Sequence, residues 1–287
     1  MAQYERNMTT TLLPDYWDCM SAHFDQLQSP LRPCAQDLRI YREILGHDVN
    51  GHGGGRRVLL FGVTPELAQL DWPDHTELTA IDRSLPMIRR VWPGEIPGRR
   101  AAIRGNWFDA RFQDGTFDFA LGDGILTGVP YPEGYGAFAE RVVRWLKPEG
   151  ILILRNFSAP SPVEPLEKVI DDLGRGGIAC FDVFKWRLAM ALHENSRTGV
   201  VVDDVYRAWT RIVKEDALAA AMSRWPRAAV DTIHLYAGRK NRYAFPTTDE
   251  VDAAFAPHLR RKSVTIPAYD LGERCPIVVY RAAERSE

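Results

Sequence analysis

A glycine turn beside an acidic side chain is the first feature of the sequence that could bind a ligand. In RVLLFGVTPELAQL, which starts at Arg57, an apolar strand leads through Gly62 into a helix. Gly62 allows the backbone to come close to a ligand, whereas Pro65 has no N–H to donate and Glu66 adds a carboxylate. The turn therefore disfavours a pyrophosphate and favours a ligand with an ammonium or sulfonium group. Alternatively, Glu66 only complements the helix dipole.

A second carboxylate follows at a spacing typical of nucleoside sites. The segment ELTAID ends at Asp82, about 20 residues after Gly62, and an acid at the end of a second strand can accept both ribose hydroxyls. Thr64 and Asp82 each have a structural alternative, because either could cap the helix that follows it. The glycine turn and Asp82 together indicate a nucleoside ligand, but they do not separate NAD from S-adenosylmethionine.

The elements around these residues alternate between strand and helix. The predicted strands are VLLFGV, ELTAID, RAAIRG, FDFALGDG and ILILRNF, and the predicted helices are PELAQL, SLPMIRRVW and GYGAFAERVVRWL. Apolar runs of this length suit a parallel sheet that is covered on both faces. The alternation predicts a doubly wound, Rossmann-like α/β fold with a mostly parallel sheet. KSVTIPAYD and CPIVVYRA, joined by LGER, predict an antiparallel hairpin and thus an antiparallel edge strand.

Two helical regions are predicted outside this core. Residues 1–55 form an N-terminal helical lid that ends in the connection HDVNGHGGG, and residues 56–158 and 246–287 form the cofactor-binding core. Residues 159–245 form a mainly helical insertion that caps the substrate side. We expect SPLRP in the lid to meet the insertion over the carboxyl ends of the strands.

The composition limits the classes of function. The 287 residues carry a net charge of −2, without the basic excess that nucleic-acid binders normally have. The four cysteines form no CxxC pair, so we expect reduced thiols and no metal site. No apolar run is long enough for a membrane span or a secretory leader. The sequence predicts a cytoplasmic protein that acts on a small molecule, with no nucleic-acid or membrane partner, and leaves the oligomeric state open.

The segment from Arg57 to Phe157 resembles the core of a class I S-adenosylmethionine-dependent methyltransferase. The resemblance rests on VLLFGVTPEL, TAIDRSLPMI, RGNWFDARFQDGTFDFALGDGIL and RWLKPEGILILRNF, which follow the family's order and spacing. The flanking segments SPLRP and FKWRLAMAL resemble those of a bacterial subgroup with a G-x-T-P-E first turn. The resemblance implies S-adenosylmethionine as cofactor and methyl transfer to a small-molecule acceptor.

The resemblance also implies where the cofactor binds. Asp82 corresponds to the acid that binds the ribose, Asn106 and Trp107 to the pair that contacts the adenine, and Asp123 with Gly124 to the segment that lines the methionine moiety. Arg32 in the lid is suited to clamp the methionine carboxylate, although it could be a surface arginine. The complete predicted cofactor set is Arg32, Gly62, Thr64, Glu66, Asp82, Arg83, Asn106, Trp107, Asp123 and Gly124.

The sequence departs from the family pattern at Leu60. The family's usual acid stands two positions before the first glycine, and Leu60 occupies that position here. Another carboxylate must therefore contact the methionine ammonium, and Glu66 and Asp123 are the candidates. Trp107 and Asp123 also have structural alternatives, as a core side chain and as a turn residue at a strand end.

Methyl transfer depends mainly on a well-placed nucleophile and needs a base where the nucleophile starts as NH or OH. His193, Tyr206 and His234 are the candidates for that base, and each could instead be structural. The aromatic residues of the insertion could line a pocket or form its own core (Phe181, Phe184, Trp186). Two other functions stay open: an enzyme that attacks the aminopropyl arm and releases methylthioadenosine, such as a cyclase, and a non-catalytic cofactor-binding protein.

Overall fold

The computed structural model describes residues 15–47 and 55–283 of the chain. Its strands are β1 (Arg56–Phe61), β2 (Thr76–Asp82), β3 (Arg100–Arg104), β4 (Phe117–Asp123), β5 (Leu146–Arg155), β6 (Val200–Val201), β7 (Arg242–Tyr243), β8 (Leu259–Thr265) and β9 (Ile277–Ala282). Seven of them form one sheet in the order β3-β2-β1-β4-β5-β9-β8. The short strands β6 and β7 pair separately.

The fold class predicted from the sequence is confirmed. Strands β1 to β5 pair in parallel, as expected from the buried apolar runs. Strand β9 pairs antiparallel with both β5 and β8, so the antiparallel strand lies one place in from the edge. The connection between β8 and β9 comprises residues 266–276, and is therefore longer than the predicted LGER turn.

The helices cover both faces of the sheet and build the insertion. They are α1 (Tyr16–Met20), α2 (Ala35–His47), α3 (Pro65–Ala68), α4 (Leu85–Arg90), α5 (Glu133–Trp145), α6 (Leu166–Gly174), α7 (Phe181–Ala191), α8 (Val202–Ile212), α9 (Asp216–Met222), α10 (Arg227–Asp231) and α11 (Thr248–Phe255). Short 3₁₀ turns span Phe24–Gln26, Thr232–Tyr236 and Gly272–Arg274. Within the described ranges, no helix is long and apolar enough to cross a membrane.

The alternating side chains of β1 show why this strand is the centre of the sheet. Leu60 packs with α2, α3 and α4 on one face, and Leu59 packs with α5 and α11 on the other. Both leucines are fully buried, and full burial of a leucine contributes about 2 kcal/mol. Leu60, which stands where the family has an acid, is therefore a core residue in this chain.

The insertion has its own hydrophobic core. Phe181, Phe184 and Trp186 of α7 are buried in this core together with side chains from α6 and α8. Their placement matches the core interpretation of these aromatic residues. Lys185 and Asp182 form a fully buried ion pair on the same helix, with 2.8 Å between Nζ and Oδ1.

The N-terminal segment connects the first strand–helix turn to the insertion. The N–H of Gln28 donates to Asp182 Oδ2 at 2.6 Å, and the Cys180 thiol donates to the carbonyl oxygen of Ser29 at 3.4 Å. Helix α1 contacts both α4 and the 3₁₀ turn Thr232–Tyr236. Most of the predicted connection HDVNGHGGG, residues 48–54, lies outside the described residues.

Candidate functional site

The first turn and the second strand end lie side by side. Gly62 follows β1 with a φ of +81°, a conformation that favours glycine. Its N–H donates to the carbonyl oxygen of Ile81 at 2.9 Å. A Cβ atom at Gly62 would lie 3.9 Å from Asp82 Oδ2. A ligand in contact with the Gly62 backbone would therefore also reach the Asp82 carboxylate.

Asp82 is not the cap of α4. That position belongs to Ser84, whose Oγ accepts from the N–H of Met87. Asp82 Oδ1 accepts from the N–H of Ser84 at 2.7 Å, and no donor among the described residues is bonded to its Oδ2. Burial raises the pKa of Asp82 to about 6, with Asp15 and Asp18 adding to the rise. The site thus holds a desolvated carboxylate that an incoming hydroxyl donor would stabilise.

Glu66 and Arg32 form an ion pair directly over the first turn. Arg32 Nε donates to Glu66 Oε1, and the Arg32 guanidinium also lies 4.9 Å from the centroid of the Phe24 ring. Glu66 Oε2 is buried without a hydrogen-bond partner in the described part of the chain. Thr64 occupies the N-cap position of α3, but its side chain makes no capping bond. Glu66 therefore does more than complement the helix dipole, since it binds Arg32 of the N-terminal segment.

Two acids of α1 and its N-cap bind the N-terminal segment to the residues that follow β2. Asp15 Oδ2 lies 2.8 Å from Arg83 Nη2, and the Ser84 hydroxyl donates to Asp18 Oδ1 at 2.6 Å. We did not predict Asp15 or Asp18 as site residues. In the sequence they are ordinary acids at the start of a helix, so only the fold shows that they lie beside β2.

The residues predicted to contact adenine lie next to the end of β2. Asn106 is exposed, accepts from the N–H of Phe108 and donates to Asp109 Oδ2 at 2.9 Å. Trp107 Nε1 donates to the carbonyl oxygen of Ile81 at 3.1 Å, and its ring packs edge-on against Phe61. Trp107 is thus partly a core residue, which was the alternative to an adenine contact, and its bond to Ile81 holds the end of β2 in place.

Asp123, which was predicted as a possible ammonium contact, is engaged by the protein itself. Both oxygens accept from Arg155, at 2.5 and 3.1 Å. Arg155 is fully buried, and its Nη1 also lies 3.4 Å from Asp37 and donates to the Tyr269 hydroxyl. Burial raises the pKa of Asp123, and Arg155 opposes that rise. Both Asp123 oxygens are thus engaged, whereas Glu66 keeps one oxygen without a partner among the described residues and is the better candidate for the ammonium.

Tyr41 was not predicted, yet it ties α2 to the same strand ends. Its hydroxyl donates to the carbonyl oxygen of Gly122 at 3.0 Å and accepts from the N–H of Arg155 at 3.1 Å. Gly124 follows with a φ of +61°, and a Cβ there would lie 2.4 Å from Phe157 Cε2. Both the left-handed backbone and this close contact require glycine at position 124.

His193, which was predicted as a candidate base, makes a structural contact in this fold. It is only 4 % exposed, and its Nε2 accepts from the backbone N–H of Phe245 at 3.2 Å. Burial lowers the pKa of His193, which keeps the ring neutral. A nitrogen that already accepts a backbone N–H has no lone pair left for a substrate proton.

The other two candidates for the base lie together on the insertion. The rings of Tyr206 and His234 are 5.7 Å apart, and both contact Trp209. His234 is half exposed, and its Nε2 lies 4.0 Å from Asp231 Oδ1. Within residues 15–47 and 55–283, no three His, Cys, Asp or Glu side chains are grouped so as to hold a metal ion.

Comparison with solved structures finds this fold in several proteins of low sequence identity. A Rhodobacter sphaeroides protein provisionally named a zinc-dependent alcohol dehydrogenase has a TM-score of 0.57 at 10 % identity, over 93 % of this chain and 97 % of that one. The 1,6-didemethyltoxoflavin-N1-methyltransferase of Burkholderia thailandensis, with S-adenosylhomocysteine bound, has a TM-score of 0.50 at 15 % identity, over 94 % of this chain and 87 % of that one. The CcbJ methyltransferase of Streptomyces caelestis has a TM-score of 0.50 at 13 % identity, over 94 % of this chain and 98 % of that one.

No protein-family model matches the chain, and no curated protein matches it significantly. At these identities, the structural comparisons establish the α/β Rossmann-like fold that methyltransferases use. Because one of the three neighbours carries a dehydrogenase name, the fold alone does not choose the cofactor. That choice rests on the side chains at the strand ends.

Proposed function

We propose that this protein is a class I enzyme that binds S-adenosylmethionine and transfers its methyl group to a small-molecule acceptor. The observation that carries the proposal is the Arg32–Glu66 ion pair over the first turn, next to Gly62 and Asp82. These side chains match the two ends of the cofactor: a carboxylate for the ribose, a carboxylate for the ammonium and a guanidinium for the methionine carboxylate. We also infer that the chain falls in the subgroup with the G-x-T-P-E first turn.

Asp82 is suited to the ribose because its Oδ2 faces the turn and needs a donor. Two ribose hydroxyls bonded to a charged acceptor would contribute about 1.5–3 kcal/mol each. The bonds would also offset the cost of holding the Asp82 carboxylate ionised in a partly buried position. Asn106 and Trp107 follow β3 beside this strand end, where they would border the base.

Arg32 and Glu66 are suited to the zwitterionic end of the methionine moiety. The unpaired Oε2 of Glu66 would accept from the ammonium, and Arg32 would turn its fork toward the carboxylate. A pyrophosphate at the first turn would instead meet the carboxylate of Glu66. At about 4 Å, two like charges repel by about 4 kcal/mol at an effective dielectric constant of 20. This repulsion favours S-adenosylmethionine over NAD.

When bound, the cofactor supplies an electrophilic methyl group on its sulfonium. The chain contributes position and the exclusion of water, because residues 15–34 contact both the first turn and the insertion. Positioning of this kind can account for much of the rate of a displacement reaction. Tyr206 and His234 remain the candidates for a base if the acceptor loses a proton.

The domain division is part of the same proposal. Residues 1–55 act as the lid, residues 56–158 and 246–287 as the core, and residues 159–245 as the substrate cap. A small-molecule acceptor is supported by the near-neutral charge and by the fold neighbour from Burkholderia, which binds 1,6-didemethyltoxoflavin. The four cysteines are free thiols, which supports a cytoplasmic location.

Calorimetry with S-adenosylmethionine, S-adenosylhomocysteine and NAD tests the cofactor. We expect the first two to bind and NAD to bind more weakly; tighter binding of NAD would refute the proposal. Incubation with S-adenosylmethionine and a cell extract then tests the reaction. Adenosylhomocysteine as product supports methyl transfer, methylthioadenosine indicates attack on the aminopropyl arm, and neither product indicates a cofactor-binding protein.

A further inference from the structure

Asn156 has an unusual environment for a buried amide. It follows Arg155 at the carboxyl end of β5, and its side chain is 5 % exposed. Neither Nδ2 nor Oδ1 has a hydrogen-bond partner among residues 15–47 and 55–283. Buried amides are normally bonded, so an amide with both ends unpaired suggests that its partner is a ligand.

The amide lines a cleft between the carboxyl ends of β4 and β5. The cleft is bordered by Gly124, Thr127, Tyr135, Phe157 and Pro246, and it has no room for a water molecule. The polar groups of Thr127 and Tyr135 already donate to the carbonyl oxygens of Gly124 and Leu126. Among the side chains that border this cleft, Asn156 thus has both an unbonded donor and an unbonded acceptor.

The cover of the cleft is the segment of residues 244–246, which does not belong to the seven-stranded sheet. Ala244 donates its N–H to the carbonyl oxygen of Thr127 at 2.9 Å, and Ala159 donates to the carbonyl oxygen of Phe245 at 3.0 Å. The third bond is the one from the Phe245 N–H to His193. Displacement of residues 244–246 would widen the cleft at the cost of these bonds and of the packing of the buried Phe245 ring against Trp186 and Tyr243.

The cleft adjoins the proposed cofactor site. Gly124 donates its N–H to the carbonyl oxygen of Arg155 at 2.8 Å, which joins the two strand ends that border the cleft. Burial raises the pKa of Asp123, the residue before Gly124, and the nearby Glu66 charge adds a smaller rise. A molecule bound at Asn156 would therefore lie beside the methionine end of the cofactor.

We infer that the Asn156 carboxamide anchors the acceptor, and that the acceptor presents a donor and an acceptor side by side on a flat edge, as a lactam or N-heterocycle does. This inference rests on the proposed function for the role of the bound molecule. A carboxamide offers one C=O and one NH₂ in the same plane, so it pairs with a cis-amide edge through two hydrogen bonds. The rings of Phe157 and Tyr135 provide the apolar borders that a flat heterocycle requires.

The first test is the stability of the ligand-free protein. Asn156→Leu replaces an unpaired amide with an apolar side chain of similar size, which removes the cost of burying unbonded polar atoms. We expect the variant to melt at a higher temperature than the wild type. Asn195→Leu is the matched control, because Asn195 Oδ1 accepts from the backbone N–H groups of Arg197 and Thr198, and this variant should melt lower. A lower melting temperature for Asn156→Leu would overturn the inference.

The second test uses 2-pyridone, a cyclic cis-amide, and toluene as an apolar probe of similar size. The Asn156 side-chain NH₂ signals are assigned in ¹H–¹⁵N NMR spectra by their loss in Asn156→Leu. We expect 2-pyridone to shift these signals in the wild type, toluene to leave them in place, and Asn156→Leu to bind 2-pyridone at least about tenfold more weakly, the equivalent of one lost hydrogen bond. Unchanged signals with 2-pyridone, or equal affinity in the variant, would overturn the inference.

Both titrations are run with and without S-adenosylhomocysteine, whose own binding is measured by calorimetry. Asn156→Leu should bind S-adenosylhomocysteine as the wild type does, because the amide does not belong to the cofactor site. If the wild type binds 2-pyridone at Asn156 but not S-adenosylhomocysteine, the subsite stands and the proposed function fails. If it binds S-adenosylhomocysteine but not 2-pyridone, the proposed function stands and the Asn156 inference fails.

Discussion

Substitution of Asp82 by asparagine should make the ligand-free protein more stable and weaken cofactor binding. The pKa of Asp82 is raised from 3.8 to about 6 because the carboxyl group is buried. At about 1.4 kcal/mol per pKa unit, ionised Asp82 costs the folded state about 3 kcal/mol. Asparagine keeps an oxygen that can accept from the N–H of Ser84 but carries no charge, so Asp82→Asn should recover much of that free energy at pH 8.

The pH dependence has a defined sign. Between pH 3.8 and pH 6, the folded protein holds a proton on Asp82 that the unfolded chain has lost, so wild-type stability falls as the pH rises through this window. The stability gain of Asp82→Asn over the wild type should therefore be near zero at pH 4, grow up to pH 6 and be complete above pH 7. Denaturant unfolding at pH 4, 6 and 8 measures it. Asp114→Asn is the control, because it removes an exposed charge paired with Arg144.

The affinity for S-adenosylhomocysteine should change in the opposite direction. Two ribose hydroxyls that donate to a carboxylate lose about 1 kcal/mol each when the acceptor becomes neutral, which weakens binding about 30-fold. Calorimetry at pH 8 measures this loss. A variant with unchanged affinity, or one that gains no stability between pH 4 and pH 8, would refute the role assigned to Asp82.

Three further predictions concern the lid, the insertion and the buried arginine. Arg32→Ala should raise the calorimetric dissociation constant of S-adenosylmethionine more than Arg83→Ala, because only Arg32 contacts Glu66; equal effects would contradict the lid assignment. His193→Gln should retain activity. Wild-type stability should fall between pH 7.5 and pH 5.5, because burial lowers the pKa of folded His193 and the unfolded chain takes up a proton there first, and the variant should lose less stability over the same range. Loss of turnover in a folded variant would restore His193 as a catalytic base. Arg155→Met should lower the free energy of unfolding by about 3–5 kcal/mol, because it leaves the buried Asp123 carboxylate unpaired; urea unfolding measures this, and a loss below about 1 kcal/mol would contradict it.

The sheet could be predicted from the sequence because its signals are local. Apolar runs such as VLLFGV and ILILRNF mark buried strands by themselves, and the alternation with helices then fixes parallel pairing. The position of Asp82 follows from the same logic, since the end of a strand is visible in the chain. The hairpin near the carboxyl terminus was also predicted from the sequence. Its longer connection, and the place of the antiparallel strand inside the edge, depend on the pairing of β9 with β5.

The partners of the site residues could not be predicted, because they come from distant parts of the chain. Asp123 was expected to face a ligand, but Arg155 reaches it from the neighbouring strand. His193 was a plausible base until the fold placed the Phe245 N–H against its Nε2. Residue type alone states what a side chain can do, and the pairing decides whether that capacity is already used.

Two of the contacts that bind the N-terminal segment lie only four residues apart. Arg32 holds Glu66 at the first turn, and Gln28 holds Asp182 of the insertion. A ligand that draws Arg32 away from Glu66 will also pull on Gln28, and through Asp182 on the buried Lys185. By thermodynamic reciprocity, any molecule that repositions the insertion must change the affinity for that ligand by the same factor. The affinities for two substrates would then be coupled through this short stretch of backbone.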